Sequence, residues 1–171
     1  MPTLKITKFK VHGPFTIHLK KRGRGYTLTY ADFWKSDHER KTLSEKKGIY
    51  IFGIRAGKGM TPIYVGRATR THFKTECFNP SNQKKYRNGI RKYKKCTPVL
   101  LLVIHPKQKG RLNRAAIDQI ETFFVQLCAE KNEKLQNLKK RRVPKWGIEG
   151  VIRCSLLQWM IGSSPNHPQL S

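Results

Sequence analysis

The sequence predicts an α+β fold, a small and mostly antiparallel central sheet flanked by helices. Three observations predict it. Residues 48–54 and 62–66 are short apolar runs joined by a segment rich in turn formers, the pattern of a β-hairpin. Residues 98–105 (PVLLLVIH) are a continuous apolar run after a proline, as expected of a buried strand. Residues 114–132 repeat apolar side chains at helical spacing. At 171 residues the chain is long enough for a real core. The expected organisation is N-terminal strands over 1–46, a core over 47–140 and a basic C-terminal segment over 141–171, together one compact domain.

The elements follow in order. Residues 3–11 alternate, with Leu4, Ile6 and Phe9 on apolar positions, and read as a strand. Residues 14–20 read as its hairpin partner, and KKRGRG (20–25) as a basic turn. A short helix is expected around Tyr30–His38. After the central hairpin a helical stretch starts near Thr69–Thr71, and a second, very basic helix runs from about Ser81 to Lys95. Asn113 is placed to cap the helix over 114–132. Residues 139–145 (KKRRVPK) read as a basic loop or helix end and 146–153 (WGIEGVIR) as a late strand, and the last residues are expected to fray.

Charge narrows the function. The chain has 36 Lys and Arg against 10 Asp and Glu, a net +26. Such a balance costs self-repulsion in the compact state and points to a polyanionic partner. Nucleic acid is favoured over an anionic membrane, because there is no basic amphipathic helix with a long apolar face and no apolar run approaches the length of a membrane span. Four scattered cysteines (Cys77, Cys96, Cys128, Cys154) form no C-x-x-C pair and read as reduced thiols of a cytoplasmic protein, with association with the nucleoid as the further option. Zinc ligands at finger spacing are missing.

Two features carry chemistry. In the long helix, Ile117, Ile120, Phe124, Leu127 and Cys128 trace one apolar stripe, and Glu121 falls inside it, whereas Asp118 and Gln126 fall nearer the polar side. A carboxylate facing a core is costly unless paired or ligating. Three readings stay open: a Glu satisfied by a cation at the stripe's edge, an acid held protonated, or a ligand for a hard divalent ion such as Mg²⁺ or Mn²⁺. The second feature is the pair of tripeptides Gly48-Ile49-Tyr50 and Tyr64-Val65-Gly66. A hairpin brings their two phenols together beside Arg67, Arg70 and Lys74. The bland reading of the tyrosines is strand packing.

Taken together, these residues resemble the GIY-YIG nuclease family. Its signature is two such tripeptides on adjacent strands, a cation on the following helix, a glutamate on a later helix and an asparagine beyond. The resemblance covers roughly residues 47–140, with Glu121 as the glutamate and Asn137 as the asparagine. Where the family usually has arginine this chain has Lys74, with Arg70 one helical turn earlier. Where the family often has His or Tyr it has Phe78, with Tyr86 or His72 as the polar group instead.

The resemblance implies a metal-dependent endonuclease acting on DNA, with RNA as the other candidate nucleic acid, working as a monomer or weak dimer. Glu121 would hold one Mg²⁺ or Mn²⁺ on the scissile phosphate. Tyr50, or alternatively Tyr64, would take the water's proton, helped by Arg67, Lys74 or Arg70. Tyr50 is the favoured base. Asn137 would contact a phosphate or hold the site's shape. Three basic runs supply phosphate contacts, through Arg67, through Lys84, Lys85, Tyr86, Arg87 and Arg91, and through Lys139, Lys140, Arg141 and Arg142. Such contacts position a strand without reading its bases. The competing function is a non-catalytic nucleic-acid-binding protein built on the same scaffold.

Overall fold

A computed structural model describes residues 8–142 except 23–24, 57–58, 94–95 and 111. The fold is α+β. Strands β1 (Lys10–Thr16), β4 (Gly48–Ala56), β5 (Gly59–Ala68) and β6 (Thr97–Ile104) form one sheet in the order β1-β6-β4-β5, every pair antiparallel. Strands β2 (His18–Arg22) and β3 (Gly25–Thr29) form a separate hairpin. A short 3-10 turn (Phe33–Lys35) precedes α1 (His38–Ser44). Then come α2 (Phe73–Glu76), α3 (Pro80–Ile90) and α4 (Arg114–Lys131).

The central hairpin, the strand at 98–105 and the long helix all form where the sequence places them. Asn113 caps α4 by accepting from the Ala116 N–H at 3.0 Å. The N-terminal part differs. Among the described residues, 14–20 do not pair with 8–11, and the rest of the expected first strand lies outside them. Instead β1 pairs with β6, and a register shift between His12 and Phe15 takes up Gly13 and Pro14. β2 pairs antiparallel with β3, with Arg22 opposite Gly25. Within the expected Tyr30–His38 helix only the 3-10 turn Phe33–Lys35 forms, and the α-helix starts after it, capped by Asp37, which accepts from the Arg40 N–H at 2.7 Å. The late strand at 146–153 and the tail lie outside the described residues.

Alternation along the strands divides the core in two. Tyr50, Phe52, Ile54, Leu100 and Leu102 face α2, α3, the 3-10 turn and the β2–β3 hairpin. Ile49, Ile51, Val65, Leu101 and Val103 face α4, meeting Ile117, Phe124 and Cys128. Both faces of β6 are therefore covered, which is why its sequence is apolar without alternation. On the first face Tyr86 stacks on Phe52, ring centroids 3.9 Å apart. A bulge in the β4–β5 pairing, where Phe52 faces Tyr64 and Gly53 faces Pro62, leaves Ile63 as the extra residue, and Ile63 and Tyr64 both pack on the α3 side. Gly89 lets α3 settle there, since a Cβ at that position would lie 2.1 Å from the Ile63 side chain.

β5 is the outer strand, and the chain after α4 covers part of its edge. The Asn132 side chain donates to Pro62 O at 2.7 Å, and the Gln136 N–H donates to Ile63 O at 2.8 Å. Asn137 takes both backbone groups of Val65, accepting from its N–H at 2.9 Å and donating to its C=O at 2.7 Å. Polar groups along this stretch of the sheet edge are thereby satisfied, and that stretch is closed to strand addition.

Candidate functional site

The two tripeptides interlock. Tyr50 lies directly opposite Gly66 in the β4–β5 ladder. A Cβ on Gly66 would sit 2.3 Å from the Tyr50 hydroxyl and ring, so the glycine is the gap through which the phenol crosses β5. Gly48 is required for a different reason: its Cβ would lie 2.1 Å from Val103 O. Thus each tripeptide's glycine has a packing role and each tyrosine points to the α3 side. Replacing Gly66 with Ala is expected to overpack this crossing and cost about 1–3 kcal/mol. A lower urea midpoint with unchanged m-value would show it; a midpoint equal to wild type would mean the crossing is looser than described.

The phenol rings are 6.3 Å apart. Asn82 and Lys85 of α3 join them. The Asn82 Nδ2 donates to the Tyr50 hydroxyl at 2.7 Å and to Glu76 O at 2.7 Å. The Lys85 Nζ donates to the Tyr64 hydroxyl at 3.0 Å and to Asn82 Oδ1 at 3.3 Å, and it lies 4.2 Å from the Tyr64 ring centroid. Asn79 at the N-cap and Pro80 at the start of α3 set the phase of that helix, which turns Asn82, Lys85 and Tyr86 towards the sheet.

This geometry corrects the expected activation of Tyr50. Only 2% of Tyr50 is exposed. Burial first, then the neighbouring Cys77, Tyr64 and Glu76, push its phenol well above the ordinary tyrosine range, against a smaller opposing effect of the Asn82 bond. The cation at the phenols is Lys85, not Arg67, Lys74 or Arg70. Tyr64, only partly buried, is the phenol bonded to it.

Arg67 leaves the other side of β5 and meets α4. Its guanidinium bonds the Asp118 carboxylate and lies 3.4 Å from Glu121 Oε2. Lys140 bridges the same pair, its Nζ 2.7 Å from Asp118 Oδ1 and 2.8 Å from Glu121 Oε2. The Glu121 side chain is 14% exposed. Of the three readings of Glu121, the structure shows the carboxylate paired at the edge of the stripe. The Lys140 bond foremost, and the Arg67 bond with it, hold the Asp118 carboxyl below its usual range. Partial burial alone would lower the Lys140 pKa, but its bonds and charge contacts with Asp118 and Glu121 outweigh that and raise it.

The expected site residues therefore separate into two groups. Tyr50 and Tyr64 share one face of the sheet, while Glu121 sits with Arg67 on the other. Each group includes one residue of the outer strand β5, Tyr64 in the first and Arg67 in the second. Asn137 holds the backbone of Val65 between them. Lys74 is exposed on α2, and Arg70 is exposed beyond β5, where its C=O accepts from the Lys47 Nζ at 3.4 Å. The chain matches no family model, no curated protein and no solved structure.

The nucleic-acid set is likewise divided. Tyr86 is corrected: it is fully buried, its hydroxyl donates to Cys77 O at 2.7 Å, and it is closed to a ligand. Phe78 packs among Tyr30, Phe33, Trp34 and Tyr86, and His72 lies 3.6 Å from Glu45. Lys84, Arg87 and Arg91 are exposed on α3, and Lys139 and Arg142 are exposed after α4. The Arg141 guanidinium donates to Glu133 O. Sequence reasoning passed over Asn82, read Lys85 only as one charge of a basic run and left Asp118 on the polar side of the helix. The phase fixed by Asn79-Pro80 is the signal for the first two, and the three-residue spacing from Glu121 is the signal for the third.

For a divalent cation the candidate donors are the Glu121 and Asp118 carboxylates, which share one α4 face. They fit a hard ion in charge and donor type. Among the described residues no group of three or more His, Cys, Asp or Glu gathers at one point, so such an ion would keep several waters. The same described residues include no helix long and apolar enough to cross a membrane.

Proposed function

We propose that this protein is a divalent-metal-dependent endonuclease that hydrolyses phosphodiester bonds in DNA, in the manner of the GIY-YIG nucleases its motifs resemble. The observation that carries the reading is the interlock of the two tripeptides. Tyr50 crosses at Gly66, and its phenol is tied through Asn82 and Lys85 to that of Tyr64. Ordinary strand packing accounts for buried rings, but it does not call for an ammonium and a carboxamide bridging two hydroxyls.

Within this reading Tyr64 is the base, and the preference for Tyr50 is given up. The Tyr64 hydroxyl is only partly buried and accepts a bond from the Lys85 ammonium. Tyr50, buried and disfavoured as phenolate, positions Asn82 and through it Lys85. Glu121 and Asp118 would hold a divalent cation, which would supply Lewis acidity to a phosphoryl oxygen. Arg67, already beside those carboxylates, is placed to neutralise charge on the phosphate. Asn137 keeps β5 in place between the two groups of residues.

The test is a supercoiled plasmid incubated with the protein and Mg²⁺ or Mn²⁺, with and without chelator. Metal-dependent nicking is expected. Binding should weaken steeply with salt, log K falling linearly with log salt at about 0.9 per phosphate neutralised. A second reading, a non-catalytic nucleic-acid-binding protein, is favoured by one observation: the phenols and Glu121 lie on opposite faces of the sheet, with Glu121 already neutralised by Lys140 and Arg67. Salt-sensitive binding with no cleavage of DNA or RNA under any of these conditions would establish that reading instead.

A further inference from the structure

An open cleft lies where the start of β4, the end of β5 and the beginning of α4 meet, with a cavity volume of about 890 Å³. Lys47, Arg70, Lys107 and Arg114 line it together with Thr69 and Asn113, and no acidic residue is among its described lining residues. Three connections hold its walls. Gln108 accepts from the Lys47 N–H at 2.8 Å and donates to Lys47 O at 3.2 Å, tying the loop after β6 to the start of β4. The His105 N–H donates to Lys47 O at 3.1 Å, and the Phe73 N–H donates to Lys46 O at 3.0 Å, fixing the segment after β5.

The charges here differ in kind from those of Arg67 and Lys140. Those two are engaged by Asp118 and Glu121. Among the described residues, the side chains of Arg70, Lys107 and Arg114 form no ion pair, and the Lys47 ammonium meets only the Arg70 carbonyl. Four like charges converging on one concavity repel one another and are poorly explained by stability alone. The cleft also has a direction. Arg114 lies one helical turn before Asp118 on the same side of α4, about 6 Å along its axis. A strand in the cleft would thus continue towards the carboxylate pair.

We propose that this cleft is a docking site for consecutive phosphates of a nucleic-acid strand. It would hold the strand beside the carboxylate pair, so that the segment next to the scissile bond is gripped by Lys47, Arg70, Lys107 and Arg114 rather than by the basic face of α3. The proposal rests on the nucleic-acid reading given above, but not on catalysis.

The test measures binding of a fluorescent DNA oligonucleotide across a salt series. The cleft variant is Lys107→Gln with Arg114→Gln, both exposed side chains outside the phenol and carboxylate groups. A matched control, Lys35→Gln with Lys41→Gln, removes the same charge from exposed positions elsewhere. The cleft variant is expected to lose about tenfold or more in affinity and to lower the log–log salt slope by close to two, and the control to change far less. Melting curves check that both variants fold, and single Lys107→Gln and Arg114→Gln variants, each expected to lower the slope by about one, stand in if the double variant does not. Equal losses in cleft and control variants would overturn the proposal. So would inorganic phosphate competing as well as the oligonucleotide at equal phosphate concentration, which would make the cleft a small-anion site. Failure of the nuclease reading is separate: wild type would not cut, while the cleft-dependent slope would remain.

Discussion

Replacing Tyr64 with Phe is expected to lower DNA cleavage by about 10²–10⁴-fold at saturating substrate while leaving the fold intact, the scale of a lost general base. Tyr50→Phe is expected to do the opposite: a smaller loss of rate with a clear loss of stability. The asymmetry follows from environment. Tyr64 is partly buried and its hydroxyl meets an ammonium. The Tyr50 hydroxyl is enclosed and accepts one of two bonds from the Asn82 amide. Removing that acceptor leaves a buried N–H without its partner, a cost of about 1–3 kcal/mol. Single-turnover cleavage and urea unfolding of the two variants separate these effects. Tyr50→Phe abolishing cleavage at wild-type stability, with Tyr64→Phe still active, would return the base role to Tyr50.

The sequence made the sheet and the long helix legible because each has its own period. The β4–β5 pair has turn formers between two apolar runs, β6 is apolar on both faces because both are covered, and α4 carries a cap and a stripe. The N-terminal strands were misassigned for a physical reason. Alternation says that a segment is extended but not which strand it joins, and β1 finds its partner about ninety residues later in β6. In the site, glycines and tyrosines could be picked out as motif members, but not the reason they belong together, the crossing of Tyr50 at Gly66. Lys85 was read as one more charge in a basic run. Only the helix phase turns it inward to Tyr64 while Lys84 and Arg87 stay outside. The cleft itself stayed hidden, although Arg70 was singled out for another role, because Lys47, Arg70, Lys107 and Arg114 come from four separate segments and converge only after folding.

Lys140 offers the sharpest test of the proposed metal site. Its ammonium is within 2.8 Å of both Asp118 and Glu121, which is where a divalent cation held by those carboxylates would have to compete. Lys140→Met should therefore act in two directions. Without metal it leaves two carboxylates with Arg67 alone, and stability should fall by about 1 kcal/mol, the modest value of a half-exposed ion pair. With Mn²⁺ the same variant should gain more in melting temperature than wild type, since the competing cation is gone. A site filled at a hundred times its dissociation constant adds about 2.7 kcal/mol. Glu121→Gln should lose both the metal-dependent shift and cleavage. A Mn²⁺ shift of the same size in wild type, Lys140→Met and Glu121→Gln would place the ion elsewhere and leave the carboxylate pair as a structural clasp between α4, β5 and the segment after α4. A shift enlarged by Lys140→Met and abolished by Glu121→Gln has no such structural explanation, because a clasp gains nothing from the loss of its own lysine.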